Sequence, residues 1–386
     1  MQQRERRRLE PSGLERLQRA IDADIAAGRC DGVSLCVDLD GESVVDIRAG
    51  YAERAAGRPL RDDDVFVTLS AGKQFANVAV LSAIESGALS FFTQVGEVLP
   101  CFSGSAWRGM TIAQLLCHTS GVLAGTPAVP VDVLVDTARL AAFAAARGPQ
   151  YAPGSRVSQS TVVAHAVLGE ILRVVDGGTR DISAILRETL FDPLGMRDTS
   201  LGRREDLLPR LCPVVARYDE PGLFDPRALE GFNALVTAPG ACLPGGGYLT
   251  TSHDLRRFVR MLACGGSLDG KRILSPAMLE LCARNQTGAL SDDLFDAVLP
   301  LRDWRAWPAS MGLGFIVRGE ALTPGPLPNL GSAKTLGGWG AGSTAFWADP
   351  VHGVSFSLLS TGLMEDTRHL QRVQRLSDIV LASLSN

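Results

Sequence analysis

The residue pattern predicts an α/β chain of the α+β type, in which one antiparallel sheet is assembled from both ends of the sequence around a mostly helical middle. Three observations predict it. β-like runs occur near the N-terminus (GVSLCVDLDG and SVVDIRAG) and near the C-terminus (MGLGFIVRG, GSTAFWADP and GVSFSLLST). From about residue 70 the apolar spacing becomes helical and stays so through the middle of the chain. Pro and Gly at 127–130, 148–154 and 193–195 punctuate that helical stretch. The matching division is a sheet-containing unit made of 1–68 and 232–386 and a mostly helical unit, 69–231, with the cleft between them as the expected ligand site.

Taken in order, residues 12–28 place Leu14, Leu17, Ala20, Ile21 and Ile25 at helical spacing, and Gly28 stops the helix. Asp40-Gly41 between the first two β-like runs is a hairpin signal. KQFANVAVLSAIESGAL predicts an apolar-faced helix ending near Gly87, and TIAQLLCHTSG a shorter one stopping at Gly121. Three more follow in VDVLVDTARLAAFAAARG, STVVAHAVLGEILRVVDGG and DISAILRETLFDPLGM. Residues 252–264 and 275–284 make two further helices, started by Ser252 and by Ser275-Pro276. After the late strands, a final helix covers roughly 366–384; 285–310 and 319–334 read as loops over one face.

The bulk numbers narrow the function. At 386 residues the chain is long enough for a large core. A net charge of −4, with arginines interspersed among acids, leaves no basic footprint for nucleic acid or an anionic membrane. In MQQRERRRLEPSGLERL, Glu10 and Pro11 follow Leu9 where a secretory leader would need an apolar stretch. No run approaches the roughly 18 uncharged apolar residues of a membrane span. The expected location is cytoplasmic. Eight scattered cysteines fit reduced, mostly buried thiols, and none has metal-site spacing, so neither a metal nor a cofactor is expected.

Ser70-Ala71-Gly72-Lys73 stands where the β-like region gives way to the first long helix. Three residues turn a helix by about 300°, so Ser70 and Lys73 share a face one turn apart. A serine hydroxyl needs a base to take its proton, and a lysine serves only when burial or neighbouring charge lowers its pKa. SxxK alone is short enough to occur by chance, and a helix cap beside a solvated lysine satisfies it equally.

Its context is more specific. VFVTLSAGKQFANVAVLSAIESGALSFFTQVGEVLP, TIAQLLCHTSGV, YAPGSRVS, LFDPLGMRDTSLG, PGGGYLTTSHDLRRFVRMLACGG and GGWGAGSTAFWADPVHGVSFSLLS occur in that order. Together they resemble the class C β-lactamase, penicillin-binding-protein and carboxylesterase family from about Gly32 to the C-terminus. The resemblance implies a β-lactamase/penicillin-binding-protein-like fold with an inserted helical lobe, and acylation of Ser70 by an amide, ester or thioester with Lys73 as base. It further implies an oxyanion held by the serine N–H and by an N–H of the GGWGAGSTAF segment, which puts Gly338, Trp339, Gly340 and Ala341 beside the site.

Two departures from the family pattern stand out. Where the family carries a proton-transferring tyrosine after the Pro-Gly pair, counting gives Gln159 or Ser160, neither with a phenol. Tyr151 precedes Pro153-Gly154, where the family has a packed aromatic. His165 is a candidate substitute, although its alanine- and valine-rich helix suits a core histidine as well. The second departure is Gly338 at the Lys or His position of the late strand, with Lys334-Thr335 close by in sequence. That loss speaks against substrates bearing a carboxylate, including classical β-lactams. His118 reads as structural, and His253, His352 and His369 carry no signal. Trp304, Trp307, Trp339 and Trp347 suit either an apolar pocket or a core. The expected function is a serine esterase or acyltransferase for a small-molecule ester, amide or thioester, with secondary metabolism as one setting. Water, a small acceptor or a carrier-bound thioester would be its reaction partner. The alternative is a member that has lost the tyrosine-dependent chemistry and acts as a binding protein or as a catalyst of cyclisation or rearrangement.

Overall fold

In the computed structural model, which describes residues 7–385, the strand Gly32–Leu39 is buried along its whole length. Its alternation sets two layers. Val33, Leu35, Val37 and Leu39 join Leu17 and Ile21 of the helix Pro11–Ala26 and Leu370, Val373 and Leu376 of the helix Asp366–Leu381 in one apolar cluster. On the opposite face Cys36 Sγ lies 3.2 Å from Ser252 Oγ, and Asp38 pairs with Arg256. Both partners stand on the helix Ser252–Ala263, which covers that second face. The leader reading of residues 1–6 falls outside the described residues.

The sheet has seven strands in the order Arg58–Pro59, Glu42–Glu53, Gly32–Leu39, Val354–Thr361, Thr344–Asp349, Leu336–Gly340 and Ile316–Val317. Every neighbouring pair is antiparallel. The expected hairpin forms at Asp40-Gly41, where φ is +52° and +83°, the sign a two-residue turn of this hand requires. The N-terminal strands are thus paired with the last strand of the chain, and the termini meet: Glu10 N–H donates to Ser383 O at 2.8 Å. The chain is α+β with its sheet drawn from both ends, as the pattern predicts.

A second, three-stranded sheet lies deeper, with Tyr248–Thr251 between Val65–Val67 and Ser200–Leu201. It ends on Thr68, whose N–H donates to Tyr248 O at 2.9 Å. Two of its strands come from outside the 69–231 stretch and the third from inside it.

Several elements differ from expectation for local reasons. The 112–121 helix stops at Leu116, because the chain turns at His118 with φ +57° and again at Gly121 with φ +81°. The 131–148 helix is two, Val131–Leu134 and Thr137–Arg147, since Asp136 caps the second by accepting from Arg139 N–H at 3.0 Å. Thr251 rather than Ser252 caps the next helix, accepting from Asp254 N–H at 3.3 Å. The helix Pro226–Val236 was not anticipated, although Asp225-Pro226 is a start signal. MGLGFIVRG yields only the two-residue strand Ile316–Val317. Among the described residues no helix is long and apolar enough to cross a membrane.

Gly72 is where packing is tightest around the start of the first long helix. It has helical φ, yet a Cβ there would overlap the Tyr248 ring and Thr68 Oγ1. Alanine normally favours a helix over glycine, by about 1 kcal/mol. Here overpacking reverses the sign, so Gly72→Ala lowers stability by roughly 1–3 kcal/mol, to be read as a fall in thermal midpoint. An unchanged or raised midpoint would contradict the packing described.

Candidate active site

Ser70 sits in a 3₁₀ turn, Leu69–Gly72, that runs directly into the helix Lys73–Glu85. The turn is forced. Leu69 has φ +49°, a region that costs a bulky residue about 1–2 kcal/mol, and its buried side chain holds it there. Glycines let neighbouring chain approach from two sides. A Cβ at Gly246 would come 2.9 Å from Leu69 C, and one at Gly340 would overlap Thr68 O. Thr344 Oγ1 donates to the same Thr68 carbonyl at 2.6 Å, tying the strand after Gly340 to the turn that carries Ser70.

Lys73 is 4% exposed and, among the described residues, close to no carboxylate. Its Nζ lies 2.8 Å from Ser70 Oγ, 2.9 Å from Thr161 O and 2.8 Å from Gly245 O. Burial alone draws the ammonium down from its ordinary value to about 7. The two carbonyls can only accept, so they hold two N–H bonds whatever the protonation state. In the neutral amine the remaining tetrahedral position is the lone pair, and it faces the Ser70 hydroxyl. The arrangement can therefore take the Ser70 proton and give it back.

Ser70 and Lys73 line a small chamber together with Gln74, His118, Gln159 and Trp339. Gln159, Met311, Ile316 and Trp339 also line a second chamber, so the two adjoin. Its wall is a row of aromatics: Trp339 stacks on Phe295 (6.3 Å between centroids, 27°), and Phe295 lies 5.0 Å from Trp307. Arg318 in that wall is occupied, donating to the carbonyls of Gly319, Ala321 and Asn329. Asp292 accepts from Gln159 Nε2 at 2.6 Å and from the N–H groups of Gln159 and Leu294; burial raises its carboxyl to about 6.

The expected tyrosine substitutes are dispersed. Gln159 reaches the cavity, but its Nε2 is committed to Asp292 and an amide has no titrating proton. Ser160 faces away: its Oγ donates to Leu123 O at 2.8 Å and accepts from Ala164 N–H. His165 does not line the cavity; its Nε2 bonds Asn77 Oδ1 at 3.1 Å, and burial holds the ring neutral, well below its ordinary pKa. Tyr151 does not reach it either, its hydroxyl donating to His118 O at 3.4 Å. None of the four tyrosines lines either chamber. Lys334 pairs with Glu280 at 3.3 Å, away from Ser70, so no shift of register brings its charge in.

His118, read from sequence as structural, is instead a cavity residue. Its Nδ1 accepts from Ser160 N–H at 3.3 Å, and burial together with Lys73 lowers it to about 3. Gln74, Asp292, Phe295 and the carbonyls of Thr161 and Gly245 were also missed. Only Gln74 could have been found from spacing, since it stands one turn beyond Ser70.

Known proteins resemble the chain over most of its length. The Beta-lactamase family model matches residues 17–379. Penicillin-binding protein 4 of Amycolatopsis lactamdurans is 32% identical over 306 residues, 75% of this chain and 76% of the relative. The esterase/beta-lactamase LipL of Mycobacterium tuberculosis is 24% identical over 373 residues, 90% of this chain and 80% of the relative. The crystal structure of a family VIII carboxylesterase superimposes with a TM-score of 0.77 at 22% identity, covering 97% of this chain and 98% of the other.

A lysine base with a pKa of about 7 gives a signed pH dependence. Ser70 reactivity toward a fluorophosphonate should rise about tenfold per pH unit below 7 and level off above it, because only the neutral amine accepts the proton. Lys73→Arg, which stays charged, should abolish the rise. A flat profile between pH 5.5 and 8.5 would show that Lys73 is not the base.

Proposed function

The chain belongs to the beta-lactamase family, and on that premise we propose that it is a serine hydrolase or acyltransferase that forms an acyl-enzyme on Ser70 from uncharged small-molecule esters. The observation that carries the reading is the buried Lys73 amine, held by two carbonyls with its third position on Ser70 Oγ.

The steps follow from that contact. Ser70 Oγ attacks the ester carbonyl as its proton passes to Lys73 Nζ, 2.8 Å away. As the family resemblance implies, the oxyanion is received by the N–H of Ser70 and by one from the segment 338–341. As the C–O bond to the alcohol breaks, Lys73 returns the proton to the departing oxygen. Water or a small acyl acceptor then enters and attacks the acyl carbon as its proton passes to the same amine; Lys73 returns that proton to Ser70 Oγ as the bond between the acyl carbon and Oγ breaks, freeing the acyl product. A thioester enters by the same route.

Three features favour uncharged esters over amides and carboxylates. The adjoining chamber is walled by aromatic rings and its arginine is already satisfied. Gly338 offers no cation. No phenol lines the chamber that holds Ser70, and among its lining residues Lys73 is the one with a pKa suited to protonating a leaving group, help that an ester alcohol needs less than an amine does. The name of the esterase/beta-lactamase LipL relative includes esters, though it does not separate them from beta-lactams.

Incubation with a fluorophosphonate followed by intact mass should add one adduct to the wild type and none to Ser70→Ala. No adduct on the wild type, or one that survives the substitution, would sink the covalent mechanism. Among acyl-matched substrates, 4-nitrophenyl esters should exceed 4-nitroanilides in kcat/KM by at least about a hundredfold. Equal rates would show that a proton donor other than Lys73 is at work.

A further inference from the structure

Gln74 is 7% exposed and lines the chamber that holds Ser70, yet its Oε1 has no hydrogen-bond partner among the described residues. It lies four residues beyond Ser70, on the same helix face. What positions it is the glycine opposite. A Cβ at Gly338 would overlap Gln74 Oε1, come 2.6 Å from its Cδ and 3.1 Å from its Nε2, and those are its three nearest atoms. The Gln74 carboxamide therefore occupies the space into which a side chain at 338 would project.

A buried amide oxygen without a donor is unfavourable in the empty site, and a ligand that supplies the donor removes that penalty. We propose that Gln74, seated on Gly338, is a specificity-determining residue that hydrogen-bonds a neutral amide N–H or hydroxyl on the acyl part of the substrate. The inference rests on the acyl-enzyme reading above. The acyl part is chosen because the leaving group must depart beside Lys73 Nζ, which is bounded by Thr161 and Gly245, whereas Gln74 is bounded by Gly338 of the late strand. A neutral group is chosen because the cavity supplies no free cation: Arg318 is bound to carbonyls, Lys73 is deprotonated above about pH 7, and Asp292 is an acid. A carboxylate would enter without a partner for its charge.

Three 4-nitrophenyl esters of nearly equal size test this: N-acetylglycine, levulinate, which replaces its N–H by CH2, and succinate, which replaces the levulinate methyl by a charged oxygen. The reading is the ratio of kcat/KM for N-acetylglycine to that for levulinate, compared between proteins so that intrinsic ester reactivity cancels. In Gln74→Leu the ratio should fall about tenfold from its wild-type value. Gly338→Ala, which leaves Gln74 present but displaces its carboxamide, should lower it in the same direction and serves if the Leu variant does not fold. Succinate should be the poorest of the three for the wild type. A ratio that is the same in wild type and both variants overturns the inference, as does a wild type that prefers succinate. If Ser70 takes the fluorophosphonate and none of the esters is turned over, the subsite falls while the acyl-enzyme reading stands. If Ser70 takes neither ester nor probe, both fall.

Discussion

Keeping Lys73 buried without a carboxylate is the constraint on which the centre of the molecule depends. A lysine taken out of water must either lose its proton or find acceptors, and here it does both: burial lowers its pKa to about 7, and Thr161 O and Gly245 O take two of its hydrogens. Those carbonyls lie 88 and 172 residues further along the chain. For the amine to be satisfied, the first long helix, the loop before the helix Val163–Val175 and the glycine run before Tyr248 must converge on one point. Ser70 sits at that same point. The contact that tolerates the buried amine thus also aims it at the hydroxyl.

Convergence of so much backbone requires residues without side chains. Gly72 lies flat against Tyr248, Gly246 against Leu69, and Gly340 against Thr68 and Ala71. Leu69 is held at positive φ among them. The buried ring of Tyr248 packs edge-on against Phe75 and supports the turn from below, without reaching the cavity. Rigidity at the nucleophile comes from these contacts. The two-faced sheet supplies the frame, with the terminal helices on one side and Ser252–Ala263 on the other.

Around this centre, chemistry and specificity separate. The proton-moving pair is polar and closed in by backbone, while the adjoining chamber is aromatic and its charged groups are already paired or hydrogen-bonded. The histidines illustrate how burial neutralises a residue type that sequence makes attractive. His165 is spent on Asn77, and His118 reaches the cavity but is a neutral imidazole near neutral pH, without the acidic proton of an imidazolium. Gln159 occupies cavity wall at the position of the family tyrosine, and it is pinned there by a carboxylate from a loop more than a hundred residues away.

The sequence by itself determined the α+β class, the use of both chain ends in one sheet, the hairpin at Asp40-Gly41 and the Ser70–Lys73 pair, because each rests on local periodicity, turn chemistry or one helical turn. It also showed that neither a phenol nor a cation stands at two familiar positions, since an absence at a counted position needs no coordinates. Tertiary structure alone decided what surrounds the pair. The Thr161 and Gly245 carbonyls carry no side-chain signal; His118 reaches the cavity only because the helix ends early at Leu116; and Gln74 takes its place from a glycine more than 250 residues away. Each of these depends on backbone atoms or on the space between distant segments, and neither is written in the identity of any one residue.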